Sequence, residues 1–402
     1  MLTRLRFLSA GESHGPRLNG VLDGMPAGLH LDAEAIATMM ARRQKGYGAG
    51  GRMKIEQDQL VLTGGYMGGL TTGGPLAMEV VNRDWASWAE RDVAPMTRPR
   101  PGHADLTGAV KYGYGDLRLA LERASARETA LRVAAGAICT QFLAVFGIRV
   151  GGWVRRIGAV EVPGCVAAGR APDAETLARF MDHAAVDEMA SPDPSADAEL
   201  RAEVKRAIVA RDTLGGVIEV AALGLPVGLG SHVQWDRKLE GRLAMALLSI
   251  QAMKGVEIGP AFDNAARMGT AVHDGIYADA DGTLRRETNH AGGLEGGITT
   301  GEPLLLRVAM KPISTTLTAR ATVDLATGEA AKTEYERSDI CATPRAVPIC
   351  ESMVALVLAD ALLEKLGGDS LSEMLPRFAT LPRSRLADLQ MNAQPWRIGY
   401  EG

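Results

Sequence analysis

Three stretches of this chain are too apolar to lie at a surface. ASARETALRVAAGAICTQFLAVFG (124–147), KLEGRLAMALLSIQAMKG (238–255) and ESMVALVLADALLEKLGG (351–368) each read as a helix closed by a terminal glycine. A helix that is apolar over most of its circumference is stable only when it is buried centrally. The pattern predicts Ser125 as the start of the first helix and Gly147 as its stop. If its first turn extends back far enough, Arg123 and Arg127, four residues apart, face one ligand. Strand-like runs surround the helices, among them GVIEVAALGLP and PLLLRVAMKP, so the chain is a mixed α and β protein built around interior helices.

Asp32 reads as the N-cap of an amphipathic helix, AEAIATMMARRQ, with Arg42 and Arg43 in its last turn. The next stretch, GYGAGG (46–51), has the form G-x-G-x-x-G, but a dinucleotide fingerprint follows a strand and opens a helix. Here it follows a helix and leads into the strand-like MKIEQDQLVL, so it reads as a flexible basic loop. The Pro, Ala and Asp-rich region 170–200 reads as a peripheral insertion, and 383–402 as a surface tail. Candidate motifs run from residue 11 to residue 345, which favours a single interleaved domain over 1–402.

The net charge of -4 argues against general nucleic-acid binding, yet basic residues cluster at Arg42, Arg43, Lys45, Arg52 and Lys54, at Arg98 and Arg100, and at Arg118, Arg123, Arg127 and Arg132. Local basic patches on an acidic chain suit a small polyanion; solvated surface arginines are the alternative. Cys139, Cys165, Cys341 and Cys350 lack C-x-x-C spacing, so buried free thiols are expected in place of disulfides or a metal site. The N-terminal MLTRLRFLSAGESHG has no long apolar run, and no segment reads as a membrane span, so a soluble cytoplasmic protein is expected.

GESHG (11–15) satisfies the nucleophile-elbow pattern G-x-S-x-G. An elbow needs a strand, a sharp turn at serine and then a helix, whereas Pro16 and RLNGVLDGMPAG offer a strand and turns. A histidine adjacent in sequence is also poorly placed as base for its neighbour, so the hydrolase reading fails. His14, flanked by glycine, and His103, in TRPRPGHAD, are both close to arginines, which suits a general acid beside a phosphate.

GESHG, RPGHAD (100–105), LERASARETALRVAAGA (121–137), MKGVEIG (253–259), NHAGGLEGGITTG (289–301) and RSDICATPRAVPICESM (337–353) resemble, in order, the signature blocks of the chorismate synthases. The resemblance implies an α+β fold, a single-domain β-α-β sandwich with central helices between antiparallel sheets, assembled as a homotetramer. It implies anti-1,4-elimination of phosphate from 5-enolpyruvylshikimate 3-phosphate, with reduced FMN required and no net redox change. By position it implies His14 as the proton partner of the flavin, His103 as general acid at the departing phosphate, Asp339 as aid to removal of the ring proton, and Ser13 and Ser125 as relays. It implies Arg43, Arg52, Arg100 and Arg127, with Arg345 a weaker addition, as contacts to the substrate anions. FMN contacts carry over to Arg123, Ala124, Ser125, Gln251, Ala252, Gly296, Lys311, Pro312, Ile313, Ser314, Thr315 and Arg337.

Three positions depart from the resemblance. Ala49 stands where many relatives have arginine, Ile340 where proline is frequent, and Ala124 where some have serine. Ala49 weakens the case for NADPH binding at the basic loop, so NADPH is expected to act only through a separate flavin reductase.

Overall fold

The computed structural model describes residues 2–48, 58–163, 173–336, 338–389, 391–396 and 399. Strands β1 (Arg6–Ala10), β2 (Arg17–Asp23) and β3 (Leu60–Gly64) are followed by a short ribbon, β4 (Tyr66–Met67) with β5 (Leu70–Thr71), and by β6 (Leu76–Val81). A four-stranded antiparallel sheet runs β1-β2-β6-β3. Period-two alternation gives it one apolar face: Leu18 and Leu22 of β2 are buried opposite Val80 and Leu76 of β6, while Arg17, Asn19 and Val21 face out.

The second sheet is built from β7 (Arg149–Ile157), β8 (Val160–Glu161), β9 (Gly216–Leu223) and β10 (Met253–Ile258). Two ribbons follow, β11 (Ile276–Ala278) with β12 (Leu284–Arg286) and β13 (Leu294–Glu295) with β14 (Ile298–Thr299), before β15 (Leu304–Met310) completes it. Its order is β10-β15-β9-β7-β8, antiparallel throughout. Central residues of β9 are buried on both faces, so this sheet is covered twice.

The helices are α1 (Ala33–Gln44), α2 (Asp105–Tyr112), α3 (Arg118–Ala124), α4 (Thr129–Val145), α5 (Ala174–Val186), α6 (Asp197–Ala210), α7 (Leu239–Leu248), one-turn α8 (Ala261–Ala265), α9 (Thr343–Leu366) and α10 (Leu371–Ala379). α4 packs on β2 and β6, α9 packs on β7 and β9, and α4 and α9 pack on each other. Gly136 permits that crossing, because a Cβ there would lie 2.2 Å from the Cβ of Ser352. α5, within the stretch read as a peripheral insertion, buries Leu177, Met181 and Ala184. Alternation in β7 divides the two coverings: Trp153 meets Phe180 of α5 edge-on at 5.4 Å, whereas a Cβ on Gly152 would point at Val347 of α9.

Several boundaries differ from the sequence expectation. Asp32 does cap α1, accepting from the N–H groups of Glu34 and Ala35. The 124–147 helix instead breaks at Ser125, which is extended at φ -65, ψ 141; its side chain caps a short 3-10 turn and α4 begins at Thr129. Arg123 and Arg127 therefore share no helix face. α7 ends at Leu248, because Ala252 takes a left-handed φ of 67 and the chain then extends into β10.

α9 already begins at Thr343, with Pro344 in its first turn, where no N–H is missed, and Pro348 inside, whose carbonyl accepts the Ser352 hydroxyl at 2.6 Å. Contrary to the sequence reading, α9 is long and apolar enough to cross a membrane by length and composition. Its apolar window is wholly buried inside the fold, as a core helix would be. Asp360 in α9 accepts from the N–H groups of Thr3 (2.8 Å), Arg4 (2.7 Å) and Leu5 (2.6 Å) and pairs with Arg242, mooring the segment that leads into β1.

Candidate active site

A cavity of about 790 Å³ opens where seven separate segments converge. They are the β1–β2 turn, the end of α1, the loop before α2, the α3–α4 joint, the α7–β10 turn, the strand end at 310–315 and the approach to α9. The volume falls within the ~300–1,000 Å³ usual for small-molecule sites.

The β1–β2 turn is held from below. Asn82 donates to the carbonyls of Gly15 (2.7 Å) and Glu12 (3.2 Å), and the Ser13 N–H donates to the Glu122 carbonyl. The Glu122 carboxylate accepts the backbone N–H of His14 and pairs with its Nδ1, both at 2.8 Å, while the ring packs on Trp88 with centroids 4.3 Å apart. Burial pushes the Glu122 carboxyl up, but the His14 ring and N–H, with Arg118 adding charge, hold it below its ordinary range. The Ser125 hydroxyl donates to that of Ser13 at 3.1 Å. Ser13 is thus a buried turn residue that the chain follows with β2, and the nucleophile-elbow geometry is absent.

Four buried arginines also line the cavity, each oriented by a carboxylate. Arg43 and Arg127 converge on Asp58, and Arg127 Nε also donates to Asn82 at 2.8 Å. Burial pushes Asp58 up, yet the two guanidiniums outweigh it and hold the carboxyl below its usual value. Arg100 pairs with Asp105 through Nε (2.8 Å) and Nη2 (3.0 Å), and Arg345 pairs with Asp339 while donating from Nε to the Arg43 carbonyl at 2.9 Å. His103 pairs through Nδ1 with Asp105 at 2.5 Å.

The third side is milder. Ile250, Gln251, Ala252, Met310 and Ile313 supply apolar and amide surface, and Lys311 and Ser314 both donate to the Gly102 carbonyl at 2.9 Å. Gly102 holds a left-handed φ of 79, a conformation that side chains disfavour, and so presents that carbonyl to both donors. Burial, with Lys254 nearby, lowers the Lys311 pKa.

Of the residues expected from sequence, Ser13, His14, Arg43, Arg100, His103, Ala124, Ser125, Arg127, Gln251, Ala252, Lys311, Ile313, Ser314, Thr315, Asp339 and Arg345 line this one cavity. Three do not: Arg123 turns to the carbonyl and hydroxyl of Ser9 (both 3.0 Å), Pro312 is exposed, and Gly296 sits exposed in the β13–β14 turn. Arg52, Arg337 and the Ala49 departure lie outside the described residues. Ile340 contributes an N–H that proline lacks, donated to the Gly48 carbonyl at 3.0 Å.

Sequence reasoning assigned no role to Asp58, Asp105, Glu122 or Trp88. Asp105 and Glu122 sit inside quoted blocks, beside a histidine and an arginine respectively; Asp58 carried no signal, its EQDQL context reading as strand alternation. Among the described residues no cluster of three or more His, Cys, Asp or Glu is arranged for a metal. Cys139, Cys341 and Cys350 are buried free thiols, and Cys165 lies outside the described residues.

A family model described as chorismate synthase matches residues 5–363. The chain belongs to the chorismate synthase family. The chorismate synthase of Geobacter metallireducens is 50% identical over 386 residues, covering 92% of this chain and 96% of its own. That of Aquifex aeolicus is 49% identical over 387 residues, covering 94% and 97%. A crystal structure of a chorismate synthase superimposes with a TM-score of 0.79 at 42% identity, over 94% of this chain and 97% of that one. The family's enzymes are lyases that form chorismate in the last step of the shikimate pathway, and they use reduced flavin.

Proposed function

We propose that this cavity binds 5-enolpyruvylshikimate 3-phosphate with reduced FMN and eliminates phosphate to give chorismate. The observation that carries the reading is that His14, His103 and Asp339, from three distant parts of the chain, line one cavity with four carboxylate-aimed arginines. A substrate with two carboxylates and a phosphate matches Arg43, Arg100, Arg127 and Arg345, whose forks pair such groups bidentately.

The cavity fits FMN on its milder side. Apolar Ile250, Met310 and Ile313 suit a flat ring system, and Ser314, Thr315, Gln251 and Lys311 offer polar and charged groups to its edge and phosphate. Held there, reduced FMN would supply transient electron density to the allylic C–O bond and recover it, with no net redox change. His103, its Nδ1 engaged by Asp105, acts as general acid to the leaving phosphate. Asp339, held by Arg345, assists removal of the ring proton. His14 holds a proton near the flavin against Glu122, and the Ser13–Ser125 pair, which joins the β1–β2 turn to the α3–α4 joint, serves as relay. Arg52 and Arg337 complete the proposed contacts, NADPH acting only through an external flavin reductase. The reading also takes the whole chain as one domain, its sheets and central helices forming a β-α-β sandwich within a cytoplasmic homotetramer.

The test is anaerobic phosphate release from 5-enolpyruvylshikimate 3-phosphate. Turnover is expected with reduced FMN only; turnover with strictly oxidised FMN, or none with reduced FMN and folded protein, refutes the reading. His103→Ala should slow turnover far more than it weakens FMN binding.

A further inference from the structure

Asp105, buried behind the cavity lining, holds two proposed functional groups of different kinds that do line it, Arg100 and His103. It is fully buried at the first residue of α2. Oδ2 accepts the Arg100 backbone N–H (3.1 Å) and Nε (2.8 Å); Oδ1 accepts Arg100 Nη2 (3.0 Å) and His103 Nδ1 (2.5 Å). The remaining arm of Arg100, Nη1, donates to the Thr315 hydroxyl at 3.1 Å, tying this cluster to the strand end that carries Lys311 and Ser314.

We propose that Asp105 is a positioning residue that aims Arg100 and His103 together, fixing the anion contact and the general acid in one geometry. The inference rests on the reading of His103 as the acid. Arg100 and His103 are both cationic in the acting state, and their side chains approach to 3.1 Å. Without a shared anion they would repel, and the flexible partner, the arginine, would swing away. A carboxylate on Nδ1 also commits that nitrogen as donor and assigns proton delivery to the other side of the ring. Burial pushes Asp105 up, but the His103 and Arg100 contacts hold it well below the usual carboxylate range, so the anchor stays ionised wherever the enzyme works.

The charged groups around His103 fix the sign of the test. Asp105 favours the imidazolium; Arg100 beside the ring and Lys311 on the preceding carbonyl disfavour it. Asp105→Asn leaves only the two cations against the ring and removes the carboxylate from Nδ1, so the nitrogen NMR signals of the His103 ring in labelled protein should change, Nδ1 losing its carboxylate-bound signature. The alkaline limb of the kcat profile should move to lower pH, and Asp105→Glu should restore the limb while leaving kcat reduced. An unchanged Nδ1 signature in Asp105→Asn overturns the proposal. A changed signature with an unshifted kcat limb instead keeps Asp105 as anchor and refutes His103 as the acid. Should Asp105→Asn fail to fold, Asp105→Glu decides alone: a native-like Nδ1 signature with kcat lowered supports positioning, and native kcat overturns it.

Discussion

Asp58→Asn isolates what holds the anion wall in place. The carboxylate is fully buried between Arg43 and Arg127, whose side chains are 4% and 3% exposed. Asparagine keeps the shape but removes the charge, and its NH₂ turns a donor toward one of two guanidiniums that can only donate. Removing one partner of a buried ion pair costs about 3–5 kcal/mol, because the remaining charge is left uncompensated. With an unfolding entropy of about 2.1 cal/mol/K per residue over 402 residues, that corresponds to a fall of about 4–6 °C in Tm. The sign with pH follows from the lowered carboxyl: its stabilisation is complete above its unfolded value near 3.8 and is lost as pH falls through the folded value. The Tm gap between native and variant should therefore be constant near neutrality and close in acid. Millimolar phosphate, which supplies the missing anion, should raise the variant's Tm more than that of the native protein. Calorimetry at matched scan rates reads both effects; a variant melting within 1 °C of native at pH 7 and indifferent to phosphate refutes the argument.

Gly136→Ala sets helix propensity against packing. Alanine is the better helix former by about 1 kcal/mol, but its Cβ would lie 2.2–2.4 Å from Ser352 Cβ and Cα across the α4–α9 contact. Overpacking of this kind costs about 1–3 kcal/mol or more, so the variant should melt lower; a higher Tm refutes the close crossing. The thiols of Cys139 and Cys350 are fully buried and pushed upward by burial, so a disulfide reagent at pH 8 should leave both unmodified in the native protein and reach them on denaturation, as peptide mapping would show.

What could be read in the sequence was local. α1, its Asp32 cap and the alternation of β2 depend on neighbours within a few residues, and the GESHG and RPGHAD turns bring their own glycines and prolines. The partners that make those turns chemical sites come from far away: Glu122 meets His14 across 108 positions, and Asp58 meets Arg127 across 69. The same reason explains the boundary errors. Ser125 looked like a helix start because it is a cap, but of a 3-10 turn that bends Arg127 toward Asp58 and leaves Arg123 outside. Pro344 and Pro348 hid the first turns of α9, which tertiary burial and the Ser352 hydroxyl sustain.

The pairing of each wall arginine with a carboxylate, Asp58 and Asp105 buried and Asp339 half-buried, bears on turnover. Two guanidiniums 4 Å apart repel by about 4 kcal/mol at an effective dielectric near 20, so a bare arginine cluster would splay when empty and need reordering at every cycle. Asp58, Asp105 and Asp339 remove that repulsion in the unliganded protein and keep the forks aimed. They also offset part of the attraction for an incoming anion, so tight binding requires a ligand that engages several arginines at once. A substrate carrying two carboxylates and a phosphate on one frame meets that requirement. Once the phosphate is cleaved, the same charges are divided between two smaller molecules, neither of which spans the wall, and each is held more weakly. Under the proposed function, a neutralised wall would favour the intact substrate over its separated products.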